Sequence, residues 1–459
     1  MAELILPPML IVFTEEGIKE PYQKGKIMEL QESTNRLVEL IRHSQSPYHT
    51  MKEAISQLEK AGFERISLAE SAALEPGKAY YVSIYDRSLA AFRVPQSGFK
   101  GFRIITSHID NPCFMIKPNP ERKKSDCITL NVERYGGPIL NTWLDRPLTI
   151  AGRVCVATDD PFNPKTMLYN SKKPVAVIPN LAIHMNREVN KGVELKVQTD
   201  LEPIVSLIGA KENTQGWLLG KIAAELGIEA DSILDYELFL CNGEEPSITG
   251  FDDEFLSAPR LDNLTSCQSC LNAIMDTEAL SDICNLVVLF DNEECGSSSK
   301  QGAGSVILSS ILEKIYLNTP DTDKSRTAFI DVMLHSLTAS LDVAHAMHPN
   351  HPEKNDPTNP IPMEGGVVIK MNYNQRYATD TNAVSIVEGI CRAEKIAHTK
   401  FVNHGDAVGG GTLGSILSTS IPAMTVDLGV PILAMHSSRE LMARSSQLAM
   451  DQFAEAFFK

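Results

Sequence analysis

The chain has 459 residues, 43% hydrophobic and 22% charged, a balance that excludes wholesale disorder and a collagen-like repeat. Lys plus Arg number 42 against 58 Asp plus Glu, a formal net charge of −16. That excludes non-specific binding to nucleic acid and docking on anionic membranes, because both need a basic surface.

The apolar run 4–13 contains Pro7 and Pro8 and follows Glu3 rather than Lys or Arg, so it is not expected to be a secretory signal. No run reaches the ~18 apolar residues of a membrane span, and nine thinly spread cysteines do not make a disulfide framework. A cytoplasmic location is expected. Residues 27–42 carry apolar positions at helical spacing. A second helix is expected over 47–60, with Ser46 as N-cap and Gly62 just past the end. The runs 79–85, 89–94 and 102–106 are short, β-branched or aromatic, and read as strands. Near Lys117 the texture changes. Pro118-Asn119-Pro120 and Glu121-Arg122-Lys123-Lys124 read as a charged turn, followed by strand-like 127–132, 148–158 and 174–178 and a helix over 214–226. From about Phe251 helix and strand alternate to the end: 286–290 fits a buried strand, 379–395 a helix, and 424–428 and 432–435 two strands. Cys267 and Cys270 form one C-x-x-C with no second pair, so two reduced thiols on a helix are expected. The expected organisation is an α/β domain built from residues 1–116 and 256–459, with a β-rich insertion over 117–255.

Five short segments put a potential metal ligand just after a buried-looking strand. They hold His108 with Asp110, Asp262, the pair Glu293-Glu294, Asp342 with His345 and His348, and His436. In an open α/β sheet the carboxyl ends of the strands share an edge where ligands bind, so distant residues can converge. Imidazole nitrogen and carboxylate oxygen suit Zn²⁺. Two His and three carboxylates would hold two ions if one carboxylate bridged, and a further carboxylate could act as general base. Neighbouring side chains leave a strand in opposite directions, so a turn could aim one member of the Glu pair at metal and the other at substrate. An acid two residues beyond His108 could fix its tautomer by accepting the other ring N–H. Each site alone has a plainer reading: a polar loop mouth for either His, a solvated turn for the Glu pair, a helix cap for Asp262, a polar stripe for Asp342, His345 and His348. The case rests on all five together.

Blocks in order along nearly the whole chain carry a resemblance. They are Ser107-His108-Ile-Asp110-Asn-Pro112, Asn141-Thr-Trp143-Leu-Asp145-Arg146, Leu181-Ala-Ile-His184, Pro259-Arg-Leu-Asp262-Asn263, Asp291-Asn-Glu-Glu294-Cys-Gly-Ser297, Ala344-His-Ala-Met-His348-Pro-Asn350, Val368-Ile-Lys370, Gln375-Arg-Tyr377 and Met435-His436-Ser437. The sequence resembles the aspartyl aminopeptidase and vacuolar aminopeptidase I family of dizinc exopeptidases. The resemblance implies an α/β fold with a mixed central sheet flanked by helices, the zinc exopeptidase fold, in which the insertion is a β-rich dimerisation domain. It implies two divalent ions per subunit, Zn²⁺ with Co²⁺ or Mn²⁺ as alternatives. Asp262 would bridge them, His108 and Asp342 would complete one site, and Glu294 and His436 the other. Glu293 would be the base that activates water, and Asp110 would orient His108. His184, His348 and Lys370 match substrate-binding positions, one of the histidines reaching in from a neighbouring subunit. The implied partners are peptides with a free N-terminus and further copies of the chain, dimers building a tetrahedral dodecamer. Two departures stand out. Cys295 follows the Glu pair where the family usually has Val, an apolar-for-apolar change with no expected effect on ligation. Residues 403–414 differ from the family pattern near the substrate pocket, which leaves open whether the preferred N-terminal residue is acidic or neutral. Carboxypeptidase or deacylase chemistry on the same ligands, and an inactive assembly protein, are the competing expectations.

Overall fold

The computed structural model describes residues 19–70, 73–209 and 214–459; the run 4–13 lies outside the described residues. Four strands set the frame: Gly101–His108, Ile283–Phe290, Leu337–His345 and Met424–Leu433. They are buried for most of their length, as parallel strands covered on both faces must be. Ile283–Phe290 and Leu337–His345 flank Gly101–His108, and Met424–Leu433 lies beyond Leu337–His345, all parallel. The antiparallel pair Ala79–Ile84 and Ser88–Arg93 extends one side and Glu440–Ala443 the other, making a mixed 12-stranded sheet. Alternate residues of Ile283–Phe290 serve two cores. Val287 and Leu289 face the helices Pro47–Lys60, Leu261–Asp276 and Arg444–Phe457, while Leu286, Val288 and Phe290 face Ile307–Asn318 and Arg326–Leu334.

A second sheet has six antiparallel strands, from Cys113–Lys124 to Ile233–Asn242 in the chain, and packs on the helix Trp217–Leu226. Here the local pattern was a poorer guide. Residues 118–124 are not a turn but the far end of Cys113–Lys124. The pairing jumps from Ile116–Val132 to Glu121–Leu130, so a bulge takes up Pro118 and Pro120, which have no N–H to give a ladder. Residues 174–178 make only isolated bridges, Ala176 to Leu148 and Val177 to Ile204; Pro174 and Pro179 bracket them and leave too few donors for a strand. In the large sheet, 424–428 and 432–435 do not form two strands. One strand, Met424–Leu433, runs through Gly429 and Pro431, because its antiparallel partner changes there from Val368 and Ile369 to Leu441 and Met442. Cys267 and Cys270 are buried on Leu261–Asp276, and all nine cysteines are free. Among the described residues no helix is long and apolar enough to cross a membrane.

Candidate metal centre

The parallel strands deliver their ends to one edge. His108 closes Gly101–His108, Asp342 lies near the end of Leu337–His345, and Glu293 and Glu294 follow Phe290. Asp262 opens Leu261–Asp276 with non-helical backbone angles, so it turns into the site rather than serving as an ordinary cap. His436 follows Leu433 in a left-handed conformation, φ 67°. These six side chains line one cavity of about 300 Å³, with Lys370 in its wall. His108 Nε2 lies 3.4 Å from Asp262 Oδ1 and 3.5 Å from Asp342 Oδ1. His436 Nε2 lies 3.3 Å from Asp262 Oδ2 and 3.5 Å from Glu294 Oε2. Asp262 therefore faces both histidines, one with each oxygen.

The cluster fits divalent cations. Ligand-type atoms of His108, Asp262 and Glu294 lie within 4.8 Å of one another. Asp262 Oδ1 and Glu294 Oε1 are buried with no hydrogen-bond donor, and such orphaned oxygens are costly unless a cation meets them. Burial pushes the Glu294 carboxyl well up, with Asp262 and Glu293 adding to the rise against His108. Burial pushes Glu293 up to about 7, His108 opposing and Asp342 and Asp110 reinforcing it. Burial also works against ionised Asp342, yet Lys370 and His108 hold it below the usual carboxylate range; Lys370 Nζ is 3.2 Å away. Cations among these groups would favour the ionised forms.

Both histidines have Nδ1 tied to a backbone carbonyl, which leaves Nε2 for the cluster. His108 Nδ1–H donates to the Asp110 carbonyl (3.0 Å), with the Asp110 carboxylate at 3.4 Å. His436 Nδ1–H donates to Gly137 O (3.2 Å). The Asp110 carboxylate is also engaged elsewhere: Oδ1 accepts from Glu293 N–H and Oδ2 from Glu294 N–H, both at 3.1 Å. Glu440, which the sequence reading missed, lies buried beneath the site and accepts from the N–H groups of Asp262 (3.0 Å) and His436 (2.9 Å). Only its place four residues after His436 hinted at it. His184 and His348 do not join the cluster; both are exposed in the single chain. Val343, Ala344, His345, Tyr377, Phe401 and Met435 complete the cavity wall, together with Gly410, Gly411 and Thr412 of the variant segment.

A metal-ligand edge on a mixed sheet flanked by helices is the build of a zinc-dependent exopeptidase. The chain belongs to the M18 family: the family model described as aminopeptidase I zinc metalloprotease (M18) matches residues 40–458. It is an aminopeptidase, a hydrolase acting on peptides. A relative from Clostridium acetobutylicum, named probable M18 family aminopeptidase 2, is 42% identical over 431 residues, 93% of this chain and 98% of its own length. Among solved structures, that of the Ape4 and Nbr1 complex matches with a TM-score of 0.90 at 30% identity, covering 95% of this chain and 87% of its own. The S. cerevesiae mApe1 dodecamer matches with a TM-score of 0.80 at 26% identity, covering 94% and 97%.

Proposed function

We propose that the cavity holds two zinc ions and removes the N-terminal residue of peptides that carry a free amine. Asp262 would bridge the pair, with His108 and Asp342 on one ion and Glu294 and His436 on the other. The observation that carries this is the split of the two Asp262 oxygens between the two histidines. When bound, a zinc pair supplies a lowered water pKa and polarises the scissile carbonyl. Glu293 lines the same cavity, which suits it to take the proton of the attacking water on its carboxylate and pass it to the leaving amine. Asp110 holds His108 and the Glu pair in register. Lys370 fixes Asp342 and stands near the substrate.

Residues 117–255 would be the dimerisation domain. Leu181, Ile183 and Met185, 60%, 47% and 75% exposed, flank His184, an apolar strip suited to contact with a second copy. One of His184 and His348 would then serve a neighbour's cavity, and the dodecamer of the yeast relative supports dimers assembling to a tetrahedral dodecamer here. Nine free thiols suit a reducing, cytoplasmic setting. The variant segment reaches the cavity through Gly410, Gly411 and Thr412, so the preference between acidic and neutral N-terminal residues is set partly there. The test is zinc analysis with a panel of acidic and neutral aminoacyl substrates and their N-acylated forms. Only unblocked substrates should be cleaved. Glu293→Gln should keep wild-type zinc and lose roughly 10²–10⁴-fold in kcat; normal turnover in that variant would move the base elsewhere.

A further inference from the structure

The six-stranded sheet does more than lie beside the catalytic sheet. Its strand Cys127–Tyr135 ends at the metal cluster, and the residues that follow touch the cluster's supports one after another. Tyr135 is buried, and its hydroxyl donates to Asp110 Oδ2 at 2.7 Å while accepting from Asn292 Nδ2 at 3.0 Å. Asp110 is the residue whose carboxylate receives the N–H groups of Glu293 and Glu294. Gly136 has φ 68°, and a Cβ there would stand 3.1 Å from Glu294 Cβ, so glycine lets this backbone lie directly against Glu294. Gly137 O accepts from His436 Nδ1. Ile139 N–H then donates to His436 O at 2.9 Å, and Thr142 Oγ1 accepts from Ser438 N–H at 2.9 Å. Ala434 and His436 both sit at positive φ, 58° and 67°, a conformation that surrounding structure must hold in place.

We infer that Tyr135-Gly136-Gly137 is a strut by which the smaller sheet sets the geometry of the metal site, with Tyr135 as a positioning residue acting through Asp110 on His108 and the Glu pair. The inference rests on the zinc and base assignments proposed above. Without the Tyr135 hydroxyl, Asp110 Oδ2 keeps only Glu294 N–H, and the Asn292 amide loses an acceptor. The Glu293-Glu294 turn and the His108 ring then gain freedom, while the substrate-facing wall built by Tyr377, Phe401 and Thr412 is untouched.

The experiment compares full-length wild type with Tyr135→Phe and, as a control for plain destabilisation of the same sheet, Tyr169→Phe. Tyr169 is buried in the smaller sheet and bonded to Glu225, away from the cluster. Zinc affinity is read by competition with a chelator, the ligand field by the visible spectrum of the Co²⁺ form, and kcat and KM are measured separately. Tyr135→Phe should bind zinc about 10-fold or more weakly, change the Co²⁺ spectrum and lower kcat with KM held within about twofold. Tyr169→Phe should change none of these. Equal zinc affinity, spectrum and kcat in Tyr135→Phe and wild type would overturn the strut, as would equal losses in both variants. Should Tyr135→Phe not fold, Gly136→Ala, which presses on Glu294, is read in the same way. If wild type itself bound no zinc pair, the assignment of the site would fail, and that outcome is distinct from failure of the strut.

Discussion

Asp262 offers one carboxylate oxygen to each histidine, at 3.4 and 3.3 Å, whereas Asp342 pairs with His108 alone of the two. Their replacements should therefore differ in stoichiometry. Asp262→Ala is expected to lower occupancy of both ions, and Asp342→Ala chiefly that of one. Metal analysis at a fixed free zinc concentration checks this, and a full complement of zinc in Asp262→Ala would refute the bridge. The residues in this argument were legible in the sequence because each is a His or carboxylate at the end of a buried-looking strand. Their supports were not. Glu440 works by accepting two backbone N–H groups, and Tyr135 by bonding a residue that itself bonds the backbone, and neither role leaves a spacing to read. Asp110 was singled out for its carboxylate, but the shorter contact to His108 Nδ1 comes from its main-chain carbonyl. A side-chain motif cannot reveal that.

At the level of elements, Ile283–Phe290 announced itself through the apolar run 286–290, whereas Leu337–His345, broken by Thr338, Ser340 and Asp342, was not read as a strand, and the smaller sheet, interrupted by Pro118, Pro120 and Pro174, did not yield its pairing. Nor did the sequence reveal how the two sheets are joined. Arg87, in the turn between Ala79–Ile84 and Ser88–Arg93, is buried and pairs with Asp291, just ahead of the Glu pair, and with Glu237 of Ile233–Asn242 at 2.9 Å. Glu237 also pairs with Arg153 at 2.6 Å. Burial opposes the charge on Arg87, but Asp291, Tyr48 and Glu237 more than compensate and raise its pKa. Removing one partner of a buried pair leaves the other uncompensated, which costs ~3–5 kcal/mol. Arg87→Leu should lose about that much in denaturant unfolding, and Arg87→Leu with Asp291→Asn should recover part of it by removing the stranded charge. A single variant as stable as wild type would show that the two sheets do not depend on this junction.

In the whole molecule, the cavity of one chain contains the six cluster residues and Lys370 but neither His184 nor His348. His184 sits instead among exposed Leu181, Ile183 and Met185. If His184 completes a neighbour's cavity, two inactive variants should rescue each other. Glu293→Gln spoils its own cavity but carries an intact His184. His184→Ala has an intact base but gives its neighbour nothing. In a mixed dimer, the cavity of the His184→Ala chain receives His184 from the Glu293→Gln chain and works, while the other cavity lacks both groups. Random pairing of equal amounts makes half the dimers mixed, with one working cavity in two, so co-expressed chains should show about a quarter of wild-type activity per cavity. Each variant alone should be far below that. Co-expressed oligomers no more active than the mean of the two pure variants would place His184 outside the neighbour's cavity, and the same pairing made with His348→Ala would then show which histidine crosses the interface.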